Sequence, residues 1–151
     1  MLIVRRLPGF EDLPLPSRAT AGSAGYDLHA AEAVVLKRNS IPVSMRTGIS
    51  VELPKGFFGL IVGRSGLAFN RDILCAHVGT IDNDFRGELR VLLSWSSNPF
   101  KNDFSHHVLR GDRIAQLLVL PCVNMEVREI DNIVPMVATE RGTAGFGSTG
   151  R

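Results

Sequence analysis

Turn-forming residues interrupt this chain so often that the stretches between them are too short for anything but strands. Gly, Pro, Asn and Asp punctuate β-rich runs at Leu2–Arg6, Ala33–Lys37, Thr47–Leu53, Gly56–Val62, Ile73–Val78, Glu88–Ser94, Arg113–Leu120 and Met125–Ile130. No window carries several turns of apolar residues at three-and-four spacing, so a helical architecture is not expected. One short helical turn fits near Gly66–Asn70. Many short strands at this spacing predict an all-β fold: a sandwich, a jelly roll or a small barrel.

With 151 residues the chain suits one domain able to bury a core of its own. The formal net charge of +2 comes from basic residues that are scattered rather than run together. Bulk attraction to nucleic acid is therefore not expected, and any anion must be gripped locally. Cys75 and Cys122 form no CxxC or Cys/His cluster, which argues against zinc and predicts reduced thiols buried in strands. The apolar start, Met1–Val4, is too short for a signal peptide, and no run approaches membrane-spanning length. A cytoplasmic or nuclear location is expected, with no membrane contact.

Two tracts break the strand rhythm. Phe10–Gly25 holds Pro14, Pro16, Gly22 and Gly25 and reads as an extended segment wrapping the surface. The tail from Thr139 to Arg151 has four glycines and one large apolar residue, Phe146. It cannot bury enough surface to offset its ordering entropy, so it is expected to be mobile by itself, outside a β domain spanning 1–138.

Three segments have the composition of a site. Gly63-Arg64-Ser65-Gly66 frees the backbone to approach an anion and adds a guanidinium and a hydroxyl, though such a turn is more often a plain surface bend. His77–Gly87 separates two runs and contains Asp82-Asn83-Asp84. That is ordinary turn chemistry, or else a β-hairpin whose backbone edge meets a flat ligand while Asp82 or Asp84 acts as base. Arg110–Gln116 is a polar turn entering an apolar strand, where a lone Gln116 more often ties down backbone or water. The four histidines show no metal spacing, and His106 and His107 read as surface strand residues. No serine-hydrolase elbow is present.

Taken in order, these segments resemble the five motifs of the trimeric deoxyuridine triphosphatase family. The motif-like stretches are Ala21–Leu28, Arg64–Ala68, Gly79–Gly87, Arg110–Leu117 and Arg141–Gly150, which together span nearly the whole chain. Three positions depart from the usual pattern: Gly63 for proline, Phe85 for tyrosine and Ala144 for glycine. The resemblance implies a jelly-roll homotrimer with three active sites at subunit interfaces. It implies hydrolysis of dUTP to dUMP and pyrophosphate with Mg²⁺, which would limit uracil incorporation into DNA and supply dUMP for thymidylate synthesis.

Residue by residue, the resemblance implies that Asp82 deprotonates the attacking water, and that Arg64, Ser65, Gly66 and Gln116 hold the phosphates. Asp27 would hold Mg²⁺ through water. Backbone at Ala76 and at Gly79, Thr80 and Ile81 would pair with uracil, and Phe85 would lie beneath the deoxyribose and exclude a 2′-hydroxyl. Arg90 would join the substrate contacts. From the closing tail, Arg141 would reach the γ-phosphate and Phe146 would stack over uracil, with Gly147 and Ser148 among the substrate contacts. Two other readings compete. A deoxycytidine triphosphate deaminase of the same fold would need a glutamate base, where Gly79–Gly87 offers aspartates. A non-catalytic regulatory homologue would not need the full set of polar residues.

Overall fold

The computed structural model describes residues 1–37, 40–96, 105–130 and 136–144. Within them the chain forms eleven strands and one short helix, in keeping with the all-β expectation. In chain order the strands are β1 (Ile3–Arg6), β2 (Tyr26–His29), β3 (Val34–Lys37), β4 (Val43–Arg46), β5 (Ile49–Glu52) and β6 (Phe57–Val62). After helix α1 (Ser65–Arg71) come β7 (Ile73–Cys75), β8 (Gly79–Ile81), β9 (Arg90–Trp95), β10 (Ser105–Val108) and β11 (Arg113–Pro121).

The largest sheet has the order β2-β11-β6-β8 and a second has β4-β9-β7, while β1 pairs with β5 and β10 with β3. Every pairing is antiparallel, the arrangement that lets a sheet bury one face and wet the other. The alternation shows in β6, where Gly59 and Ile61 are buried between more exposed neighbours. Leu28, Ile61, Ile81 and Leu117 from the first sheet meet Met45, Ile73, Val91 and Leu93 from the second. Leu36, Ile49, Val51 and Val108 of the two-stranded ribbons join the same core.

The Phe10–Gly25 tract does run outside regular structure, pinned by buried Leu13 and by a bridge from Ser17 to Asp27. Trp95 donates its indole N–H to the carbonyl of Arg71 at 3.1 Å, closing the last turn of α1. Asp72 then leaves the helix in the left-handed region at φ 56.

Four expectations need correcting. Met125–Ile130 is not a strand: it finds no partner among the described residues, and its apolar side chains stand in solvent, Val127 at 96% exposure. Ile73–Val78 stops at Cys75, and its continuation Gly79–Ile81 joins another sheet. His77–Gly87 is therefore not a simple hairpin. The flanking strands β7 and β9 do pair, but the segment between them leaves to lay β8 along β6. Cys122 lies beyond β11 and is exposed, whereas Cys75 is half-buried in β7. Burial pushes the Cys75 thiol above its ordinary value, against the opposing effect of its bond to the His77 carbonyl. Among the described residues no helix is long and apolar enough to cross a membrane.

Candidate active site

Polar chemistry gathers first at the end of β6. Asp27 is only 4% exposed, so its carboxylate needs partners. Arg64 Nε lies 3.3 Å from Oδ1, and Arg113 donates to Oδ2 at 3.2 Å. The Gln116 amide donates to Oδ1 at 3.3 Å. Strand register brings these residues together: β11 places Gln116 opposite both Asp27 of β2 and Val62 of β6, and Arg64 follows two residues later. Gly25 makes room for this, because a Cβ there would stand 2.9 Å from the Gln116 Cβ. Arg64 also donates to the carbonyl of Arg113 at 3.0 Å, tying the loop before α1 to the start of β11.

Two guanidiniums around one carboxylate leave the cluster net cationic, and Ser65 and Gly66 of the first turn of α1 are exposed beside it. A cavity of about 330 Å³ opens here, with Arg64, Gly66, Arg71 and Arg113 in its wall. Neighbouring His29 is half-buried, and burial depresses its imidazole below the ordinary value while the Asp27 carboxylate opposes that shift. Arg113 was not singled out from sequence. Its signal was a cation at the mouth of an apolar strand, within the Arg110–Gln116 turn.

Asp82 lies elsewhere. Gly59 pairs with Ile81, so Asp82 follows on across from Phe58, at the end of β6 away from Arg64. Four steps along β6 from Phe58 to Val62 and two further residues to Arg64 put the two backbones up to roughly 20 Å apart. Asp82 lines its own cavity of about 500 Å³ with Lys55, Phe58, Asp84 and Cys122. Phe85 and Arg90 follow on this side of the chain order, Arg90 bonded to Ser44 Oγ at 2.9 Å. The single chain thus brings Asp27, Arg64, Ser65, Gly66 and Gln116 together but does not bring Asp82 to them.

Strand β8 is at the sheet edge, so among the described residues no strand covers the outward backbone of Gly79, Thr80 and Ile81. The Ala76 N–H is already spent on the Leu92 carbonyl at 2.7 Å. Arg141 is exposed in a turn of its own, its Nε donating to the Ala144 carbonyl at 2.9 Å. Phe146, Gly147 and Ser148 lie outside the described residues. Among the described residues no cluster of three or more His, Cys, Asp or Glu side chains could cage a metal ion.

The family model for dUTPase matches residues 11–150. The chain belongs to the dUTPase family. It is 42% identical over 149 residues to the deoxyuridine 5'-triphosphate nucleotidohydrolase of Anaplasma marginale, covering 97% of this chain and 96% of that one. The enzyme of the same name from Zymomonas mobilis is also 42% identical, over 99% of this chain and 97% of its own. Among solved structures, the dUTPase of Staphylococcus bacteriophage 80alpha with dUpNHpp superimposes at a TM-score of 0.86. Its identity is 26%, with 100% of this chain and 99% of that chain covered. As a dUTPase, the protein is a dUTP diphosphatase, a hydrolase of nucleotide metabolism, and the deaminase reading falls away.

Two of the three departures from the usual dUTPase pattern have a packing context. A Cβ at Gly63 would press on the Cys75 Cβ at 3.3 Å, so this dUTPase trades a stiffer loop for a close approach of β7. Phe85 presses its ring on the Gly87 backbone, where a Cβ would lie 2.5 Å from the ring edge. Ala144 takes part in the Arg141 turn, donating its N–H to the Arg141 carbonyl at 3.1 Å.

Proposed function

We propose that dUTP is hydrolysed in a site built from two faces belonging to different copies of the chain, assembled as a homotrimer and closed by the tail of 139–151. The carrying observation is the separation of Asp82 from the Asp27–Arg64–Gln116 cluster along β6. A general base must come within hydrogen-bond reach of the attacking water, and six residues of strand forbid that within one chain. Closed symmetry places one copy's base against its neighbour's cationic cluster.

In this reading Arg64, Ser65, Gly66 and Gln116 bind the phosphates, and Asp82 takes the proton of the water that attacks the α-phosphorus. Pyrophosphate leaves as the bond to the β-phosphate's bridging oxygen breaks. The open edge of β8 at Gly79–Ile81 pairs with uracil, with Ala76 contributing its carbonyl, since its N–H is engaged. Phe85 supports the deoxyribose and Arg90 lies nearby. Arg141 reaches the γ-phosphate, Phe146 stacks over uracil, and Gly147 and Ser148 bind the substrate beside it. The residues fit Mg²⁺ as an ion delivered by the triphosphate: a single buried carboxylate, Asp27, already shared by two arginines, suits outer-sphere contact through water rather than a protein cage. Bound there, Mg²⁺ would shield the charge of the phosphates.

A mixing experiment tests the shared site. Asp82→Asn and Arg64→Ala chains should each be nearly inactive alone. Co-refolded in equal amounts, they should regain about a quarter of wild-type turnover, because one site in four pairs an intact Arg64 with a neighbour's intact Asp82. A site contained within one chain would regain nothing. Light scattering on the same sample should give the mass of three chains.

A further inference from the structure

The Asp82–Gly87 segment is held weakly by its own contacts. Phe85 N–H reaches the Asp82 carbonyl at 3.2 Å, and Arg86 donates to the carbonyls of Asn83 and Phe85, all in exposed positions. Upstream it hangs from the β6–β8 ladder through buried Ile81. Downstream it ends on Glu88, which is gripped far more firmly. Both Glu88 carboxylate oxygens accept from Arg46 Nε, at 3.1 and 3.0 Å, and one also accepts the Gly48 N–H at 2.9 Å. The next residue, Leu89, is fully buried, its N–H on the Ile49 carbonyl and its carbonyl on the Thr47 hydroxyl at 2.6 Å.

The clamp has its own backing. The Arg46 guanidinium lies 4.7 Å over the Phe10 ring, with the Arg110 guanidinium 5.4 Å from the same ring. Arg110 is in turn held by Asp12, whose carboxyl it lowers below the usual range. Gly48 sits at φ +68 where a Cβ would strike Phe10, so the β4–β5 turn can adopt this shape only because residue 48 is glycine. From the clamp the chain runs directly back through Gly87, the residue on which the Phe85 ring is seated.

From this arrangement we infer that Glu88 is a positioning residue for sugar selection. Held by Arg46 and the Gly48 N–H, it fixes the Gly87 backbone as a seat for the Phe85 ring, and so fixes the platform that discriminates deoxyribose from ribose. The inference rests on the reading of Phe85 as that platform. In this role Glu88 acts through Gly87 and Phe85 rather than by contact with the substrate. Misplacing a contact surface by a fraction of its width costs rate and selectivity without removing any reacting group.

The test compares kcat/KM for dUTP and UTP, with melting temperature read on the same samples. Glu88→Ala should lower the dUTP-to-UTP preference by about tenfold. Glu88→Gln keeps an acceptor for the Gly48 N–H and should restore most of that preference. Were Glu88→Ala to misfold, Arg46→Lys keeps the charge but loses the planar stack and the Nε bond, and should narrow the preference likewise. Phe85→Ala separates the two levels. If it leaves the preference unchanged, the platform reading fails and this inference with it. If it collapses the preference while Glu88→Ala and Arg46→Lys stay within about twofold of wild type, changing only the melting temperature, the Glu88 inference alone is overturned.

Discussion

Asp82 and Asp84 are both exposed and two positions apart in the turn after β8, and from sequence spacing either could be the base. Their placement separates them: Asp82 directly continues β8, whose backbone is fixed to β6, whereas Asp84 sits in the turn beyond. A base working on water at a fixed phosphorus needs the better-anchored position. Asp82→Asn should therefore lower kcat by roughly 10²–10⁴ with little change in nucleotide binding, whereas Asp84→Asn should stay near wild type. Steady-state kinetics with a separate binding measurement would decide it, and the reverse ranking would move the role to Asp84. Among the cations, Arg64 stood out in the sequence because it lies between glycines. Arg113 did not, because its role depends on which strand β11 meets. Nothing near Glu88 in sequence announces Arg46 or Gly48, more than thirty-nine residues away, since a long-range clamp leaves no local pattern.

The strands that could be read from the sequence are those with unbroken apolar runs, β6 and β11 above all. Those missed, β2, β4 and β8 among them, are only three or four residues long. β2 is Tyr26-Asp27-Leu28-His29, and its Asp27 is buried only because Arg64, Arg113 and Gln116 meet it. β8 is three residues long and begins on a glycine, too brief to show alternation. The false strand at Met125–Ile130 has the right composition but pairs with no strand among the described residues, and composition cannot report a missing neighbour. Helix α1 has no fully buried residue and no side-chain N-cap, and only partly buried Leu67 packs it on the core, so its ends weigh in its stability. Its C-terminal residue Asp72 sits at φ 56, a conformation that Asp tolerates better than residues unable to bond locally. Asp72→Ala should destabilise the protein by about 1 kcal/mol, read from urea melts, because alanine keeps the strained backbone and loses the polar side chain. An unchanged midpoint would show that the turn relaxes freely.

For the whole molecule, the end of the chain is the least self-sufficient part. Residues 136–144 are exposed throughout, and Arg141 reaches only its own turn among the described residues. Deleting the chain from Arg141 onward should leave the melting temperature nearly unchanged while turnover falls by roughly 10²-fold or more, since the proposed function would lose a charged donor and a cover over the site together. Wild-type turnover in the truncated protein would make the segment a mere terminus, and failure to fold would make it structural. The length of β6 carries a further consequence. In the proposed shared site, β6 keeps Asp82 near one end and Arg64 near the other, so one chain would be fully folded and still unable to turn over substrate. Output per chain would then depend on how many copies are present: diluting the protein far enough for copies to part should make catalysis fade while circular dichroism stays unchanged.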